Sequence, residues 1–182
     1  MNDRRSDDEN KNDENNNNIS VSRTIGAPAA RLYGMVSDLV RMGEWSPEAT
    51  GGRWVGGATG PAVGSRFRGT NANGRRRWAT TAIVEQAEPS SAFVFRVVIG
   101  PIQVARWGYR FQPAAEGDTA ATVVTESWED LRGRFARVAG SLVSGVSDRD
   151  AFARTSMETT LARLAAAAEQ PPGSVDRGEV RG

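Results

Sequence analysis

The sequence predicts an α+β fold, a curved antiparallel sheet covered by one long C-terminal helix. Three observations carry this. Residues 51–129 alternate polar and apolar side chains between clusters of turn residues. The segments on either side follow a helical period instead. The last helical stripe is long enough to lie across a sheet.

One domain is expected, because a single hydrophobic core commonly serves about 100–200 residues and the chain has 182. The expected limits are residues 19–170. Residues 1–18 hold no aromatic residue and no aliphatic one beyond Met1, and they end in the run Asn15 to Asn18, so they bury too little apolar area to offset the entropy of ordering. Residues 171–182 open on Pro171-Pro172-Gly173 and continue with small and charged residues. Both ends are expected to be disordered tails.

Within the domain, Ile19, Val21 and Arg23 alternate with Ser20, Ser22 and Thr24 as a first strand that ends at Gly26. Pro28 opens a helix, since its missing N–H costs nothing in a first turn, and Leu32, Val36 and Leu39 follow at helical spacing. Asp38 is positioned to cap a second short helix, which Trp45-Ser46-Pro47 ends. The strands come next, and their facing follows from placing charges outward. Arg53 outward turns Trp54 inward, and Arg66 and Arg68 outward turn Phe67 and Asn71 inward. Arg77 and Glu85 outward turn Trp78, Thr80, Ala82 and Val84 inward. Arg96 leaves Phe93, Phe95, Val97 and Ile99 inside, and Arg106 and Arg110 leave Trp107, Tyr109 and Phe111 there. Asn73-Gly74 suits a type I′ hairpin, and Glu88-Pro89-Ser90 and Glu116-Gly117-Asp118 mark further turns. Beyond the strands, Leu131, Phe135, Val138 and Leu142 fall at helical spacing, weakened by Gly133 and Gly140. Ser147 or Asp148 then caps the last helix, whose stripe is Ala153, Met157, Leu161, Leu164 and Ala168. From Asp148 to Gln170 it spans about 34 Å.

Composition excludes several chemistries. The chain has neither cysteine nor histidine, which removes disulfides, Cys/His zinc sites, and Ser-His-Asp or Cys-His nucleophiles. Lys11 is its one lysine and lies in the expected tail, so Schiff-base chemistry is removed too. Any catalyst must use carboxylates, Tyr, Arg or water. No metal or other cofactor is expected. Residues 1–18 carry six acids against Arg4, Arg5 and Lys11, a balance of −3 that leaves +4 elsewhere within the formal +1. That is ordinary solubility charge and not a nucleic-acid stripe; Arg75-Arg76-Arg77 is expected to be a solvated hairpin shoulder. No run approaches the roughly 18 apolar residues of a membrane span, and no apolar leader opens the chain. A cytoplasmic monomer or homodimer is the expectation.

The inward aromatics need a cover, and the last helix is the one long candidate. An aromatic stripe on strands is close-packed core by default. A strongly curved sheet under a helix of small residues can instead enclose a ligand space. The candidate contacts are Trp54, Phe67, Asn71, Trp78, Thr80, Phe93, Phe95, Trp107, Tyr109, Val124, Glu126 and Trp128 from the sheet, with Met157 and Leu161 from the helix. The loop 56–61 is rich in glycine, which suits either a pocket gate or a plain surface turn; it lacks the Lys of a phosphate loop.

Several short motifs in this order resemble the SRPBCC superfamily, and within it the bacterial polyketide cyclase/dehydrase-like branch. They include Glu44-Trp45-Ser46-Pro47, Gly64-Ser65-Arg66-Phe67-Arg68-Gly69-Thr70-Asn71, Arg77-Trp78, Phe93-Val94-Phe95, Thr125-Glu126-Ser127-Trp128 and Thr160-Leu161-Ala162-Arg163-Leu164. The resemblance covers about 150 residues. It implies the helix-grip fold, in which a seven-stranded antiparallel sheet wraps a long C-terminal helix around a cavity, with two short helices after the first strand. That implication favours a cavity over a packed core.

Glu126 stands out, because Val124 and Trp128 share its parity. If they point inward, Glu126 is the one carboxylate on the concave face and must raise its pKa, find a cation or hold water. An inverted strand would leave it solvated. Thr125-Glu126-Ser127-Trp128 also resembles the segment of plant hormone receptors of this superfamily in which a glutamate organises water, although their hormone-contacting lysine has no counterpart here. Glu126 and Tyr109 are the candidate catalytic groups. Three functions are expected from these features. The first is a carrier, sensor or storage protein for a small hydrophobic molecule, aromatic or polyketide-like. A polyketide cyclase or aromatase and a protein-interaction, chaperone-activating module are the alternatives.

Overall fold

The computed structural model describes residues 18–132 and 148–170. The two predicted tails and the helix predicted through Phe135, Val138 and Leu142 lie outside the described residues, except that Asn18 already belongs to the first strand. Strand β1 (Asn18–Ile25) is followed by helix α1 (Ala29–Ser37) and a 3₁₀ turn (Met42–Glu44). Six strands come next: β2 (Ala49–Val55), β3 (Arg66–Asn73), β4 (Arg76–Glu88), β5 (Ala92–Ile99), β6 (Ile102–Pro113) and β7 (Thr122–Asp130). Helix α2 (Arg149–Glu169) is the last of the described elements. The strands form one antiparallel sheet in the order β1-β7-β6-β5-β4-β3-β2, a meander to which β1 adds at the far edge. This is the helix-grip arrangement.

Alternation places charges and rings on opposite faces of the sheet as parity requires. Outside, Glu85 accepts from Arg96 Nε and Arg106 Nε at 2.8 Å each, and Arg106 Nη1 reaches Glu129 at 2.7 Å. Inside, β7 buries Thr122, Val124, Glu126, Trp128 and Asp130, every second residue. Register shifts at Ala49/Gly51, Val84/Gln86 and Val97/Val98 interrupt three ladders. Bulges of this kind bend a strand and increase its twist, so the face carrying the rings curves inward.

Two local expectations change. Asp38 adopts φ −78° and ψ 79° as the C-cap of α1 and starts no second helix; the chain makes a single 3₁₀ turn, closed from Trp45 N–H to Met42 C=O at 3.3 Å. Trp45 is buried beside it, with Arg41 5.6 Å above its ring. The β3–β4 hairpin pairs Asn73 with Arg76, so its central residues are Gly74 and Arg75. Only Gly74 has positive φ (57°), which is the type II′ pattern and not the type I′ expected from Asn73-Gly74.

Helix α2 begins where Asp148 Oδ1 accepts from Ala151 N–H at 3.0 Å. Its predicted stripe of Ala153, Met157, Leu161, Leu164 and Ala168 is buried. The helix packs most closely on β1, with further contacts to β7 and α1, and its first turn reaches Glu48 beside β2. Its C-terminal end is pinned by Arg31 Nη2, which donates to the carbonyls of Ala167 (3.4 Å) and Gln170 (3.2 Å). Glu169 also accepts there from Gly26 N–H at 3.0 Å. Leu161, Leu164, Ala165 and Ala168 join the main core with Phe93, Phe111 and Val124, while Ala153 and Met157 form a smaller cluster with Trp128 and Ala105. Between the helix and the concave face of β3 to β6 open space remains.

Candidate functional site

That space is a cavity of about 140 Å³. Its wall includes Phe67 and Asn71 of β3, Trp78 and Thr80 of β4, Phe95 of β5, Trp107 and Tyr109 of β6, and Glu126 of β7. All eight are residues singled out from parity. The other six lie elsewhere: Trp54 packs edge-on against Phe67 at 5.3 Å, Phe93, Val124 and Leu161 are in the main core, and Trp128 and Met157 form the smaller cluster. The glycine loop 56–61 contributes nothing to the wall.

The connection from α1 to β2 supplies Leu39, Met42, Ser46 and Glu48, and helix α2 supplies Arg149 and Ser156; none of these was a predicted contact. Glu48 and Arg149 meet across the cavity, with Arg149 Nη1 donating to Oε1 at 3.1 Å and Nη2 to Oε2 at 2.9 Å. Their side chains are 12% and 19% exposed. The guanidinium also sits 5.2 Å from the Phe152 ring centroid.

Glu126 occupies the deep end, 2% exposed. Tyr109 is its cross-strand neighbour, and the Tyr109 hydroxyl donates to Glu126 Oε1 at 2.8 Å. Glu126 Oε2 is buried without a partner. Burial pushes the Glu126 carboxyl up to about 8, against the lowering pull of the Tyr109 hydrogen bond. The side chain therefore holds its proton at neutral pH. With Oε1 already accepting, the proton belongs on Oε2. Burial first, and then the charge of the Glu126 carboxylate and the hydrogen bond to it, push the Tyr109 phenol well above its usual range. The pair thus presents an uncharged acid and a neutral phenol to an aromatic cavity.

Asn71 and Thr80 form a second polar station, with Asn71 Nδ2 donating to Thr80 Oγ1 at 3.2 Å. Among the described residues no three acidic side chains gather as a metal site, and no helix is long and apolar enough to cross a membrane.

Comparison with known proteins adds the following. Residues 17–169 match a family model described as polyketide cyclase/dehydrase and lipid transport. The polyketide-cyclase-like protein Cgl2372 from Corynebacterium glutamicum, solved by NMR, is 31% identical over 85% of this chain and 93% of that one, with a TM-score of 0.56. The di-domain ARO/CYC protein StfQ of the steffimycin biosynthetic pathway is 14% identical, with a TM-score of 0.60 over 83% of this chain and 44% of that one. A protein from Thermobifida fusca is 17% identical, with a TM-score of 0.58 over 84% of this chain and 93% of that one. The last two share the fold. No curated protein matches the chain.

Proposed function

The chain belongs to the polyketide cyclase/dehydrase and lipid transport family, and from that premise we propose that it binds a small, largely apolar molecule in the cavity beside helix α2. The observation that carries the proposal is an aromatic wall interrupted at its deep end by a buried acid with one free oxygen. Close-packed cores leave few voids larger than water, whereas binding sites combine apolar walls with a few converging polar groups. Size bounds the guest. An apolar cavity of about 150 Å³ admits benzene, so about 140 Å³ suits one aromatic ring with a short substituent. It equally suits such a portion of a longer molecule whose remainder leaves by the mouth.

The test is a series of single-ring aromatics followed by tryptophan emission and thermal shift. Trp78 and Trp107 stand in the wall, so a bound guest quenches or shifts their emission. A ligand at 100 times its Kd raises stability by about 2.7 kcal/mol. If neither readout responds to any member of the series, the proposal fails.

A second reading, proton-transfer catalysis, is favoured by one specific feature: the acid of Glu126 and the phenol of Tyr109 lie within one hydrogen bond of each other inside the cavity. Under it, Tyr109→Phe and Glu126→Gln abolish turnover of an enolisable substrate while leaving its binding measurable. The cavity favours either reading over a protein-interaction module, which needs an exposed apolar patch.

A further inference from the structure

Glu126 lines the cavity and has one oxygen, Oε2, without a hydrogen-bond partner. Among the described residues, the charged groups of its wall are already paired, and the other side chains there are apolar or carry neutral hydroxyl, amide or indole groups. On β7 itself, Val124 and Trp128 share its face, and the β1 residue opposite is Val21. On β6 the opposite residue is Tyr109, whose hydroxyl is spent on Oε1. Helix α2 brings Ser156, a neutral hydroxyl, to the same wall; the Thr160 hydroxyl is spent on the Ser156 carbonyl at 2.9 Å. The charged groups of the same wall are Glu48 and Arg149, and these neutralise each other. Asp130, further along the same face of β7, is held by Arg132 at 2.8 Å. Among the described residues a buried carboxylate here has no counter-charge, whereas a carboxylic acid needs only one acceptor.

We infer that Glu126 acts as a hydrogen-bond donor through Oε2, and that the cavity selects molecules whose buried polar group is an uncharged acceptor, such as a ketone or aldehyde carbonyl. The inference rests on the cavity being a binding site. A ligand carboxylate brings a negative charge to a wall whose one cation among the described residues, Arg149, is already paired. A hydroxyl brings its own O–H, which requires a further acceptor. A bare hydrocarbon fits the rings but offers Oε2 no acceptor.

The experiment uses the full chain and four probes of one size: acetophenone, ethylbenzene, benzoate and benzylamine. Affinities are measured by calorimetry at about pH 6.5 and about pH 9.5, on either side of the Glu126 transition. At the lower pH, acetophenone should bind about five- to tenfold more tightly than ethylbenzene, the scale of one hydrogen bond, and benzoate should bind worst. At the higher pH the ketone preference should disappear, because an ionised Glu126 has no proton to give. Glu126→Gln keeps a donor and should retain the preference at both pH values. Glu126→Met should bind ethylbenzene and show no ketone preference; if that variant does not fold, the pH profile of Glu126→Gln still decides. Equal binding of acetophenone and ethylbenzene by the unaltered protein at low pH overturns the inference and leaves the cavity reading standing. Tightest binding of benzylamine, growing with pH, overturns it in favour of an ion pair. No binding of either neutral probe overturns the cavity reading itself, and the inference with it.

Discussion

Replacing Glu126 with glutamine should change how stability depends on pH more than stability at any one acidic pH. The carboxyl moves from its ordinary value of 4.5 to about 8 on folding, and each pH unit of displacement corresponds to about 1.4 kcal/mol. Below about pH 4.5 the acid is protonated in both folded and unfolded chains, so burial carries no ionic penalty. As pH rises further, the unfolded chain releases the proton while the folded one retains it, and stability is lost. The loss reaches about 3 kcal/mol at pH 7 and levels off near 5 kcal/mol above pH 8, where the folded chain ionises as well. Glutamine keeps an oxygen for the Tyr109 hydroxyl and does not titrate. Denaturant titrations of both proteins at about pH 5, 7 and 9 should therefore give similar stabilities at pH 5 and a gap of several kcal/mol in favour of Glu126→Gln at pH 9. Titrations common to both proteins cancel in the difference. Two pH profiles that stay parallel within about 0.5 kcal/mol would refute burial of an uncompensated acid at this position.

Gly52→Ala should destabilise the protein by about 1–3 kcal/mol in denaturant titrations, because a Cβ there would stand 2.5 Å from both the Phe67 ring and the Arg68 carbonyl oxygen. It should also weaken binding of single-ring probes, since Phe67 is part of the wall. Asp148→Ala removes the acceptor for Ala151 N–H and should cost about 1 kcal/mol, read as a drop in Tm. Glu48→Gln strands the mostly buried charge of Arg149 and should cost about 2–3 kcal/mol. Pairing it with Arg149→Met should recover part of that loss in a double-mutant cycle.

The inward set on β3 to β6 was legible because Arg66, Arg68, Arg77, Arg96, Arg106 and Arg110 mark one face, and a strand has only two, whereas β7 carries no such marker and both facings stayed open. Parity assigns a face but not a place on it. Trp107 and Trp128 are register partners on the same face, yet Trp107 lines the cavity and Trp128 lies in the smaller cluster with Met157. What separates them is where helix α2 comes to rest, and that is set by contacts between distant parts of the chain. The Glu48–Arg149 pair was invisible for the same reason, since its members are 101 residues apart and neither carries a local signal. Asp38 misled in the opposite direction: a residue that favours helix starts also favours other backbone breaks, and here it ends α1. Asn73-Gly74 marked the right hairpin with its turn one residue out, because Gly74 alone supplies the positive φ.

The pinning of helix α2 at one end makes it a clamped beam. Arg31 and Glu169 fix the C-terminal turn, while the 21 residues that extend from it reach about 30 Å. A tilt of about 3° about that clamp displaces the far end by about 1.5 Å and leaves Leu164 and Ala168 almost where they were. The wall residues of the beam, Ser156 and Arg149, belong to the half with the larger travel. The Glu48–Arg149 pair ties that half of the helix to the chain just before β2.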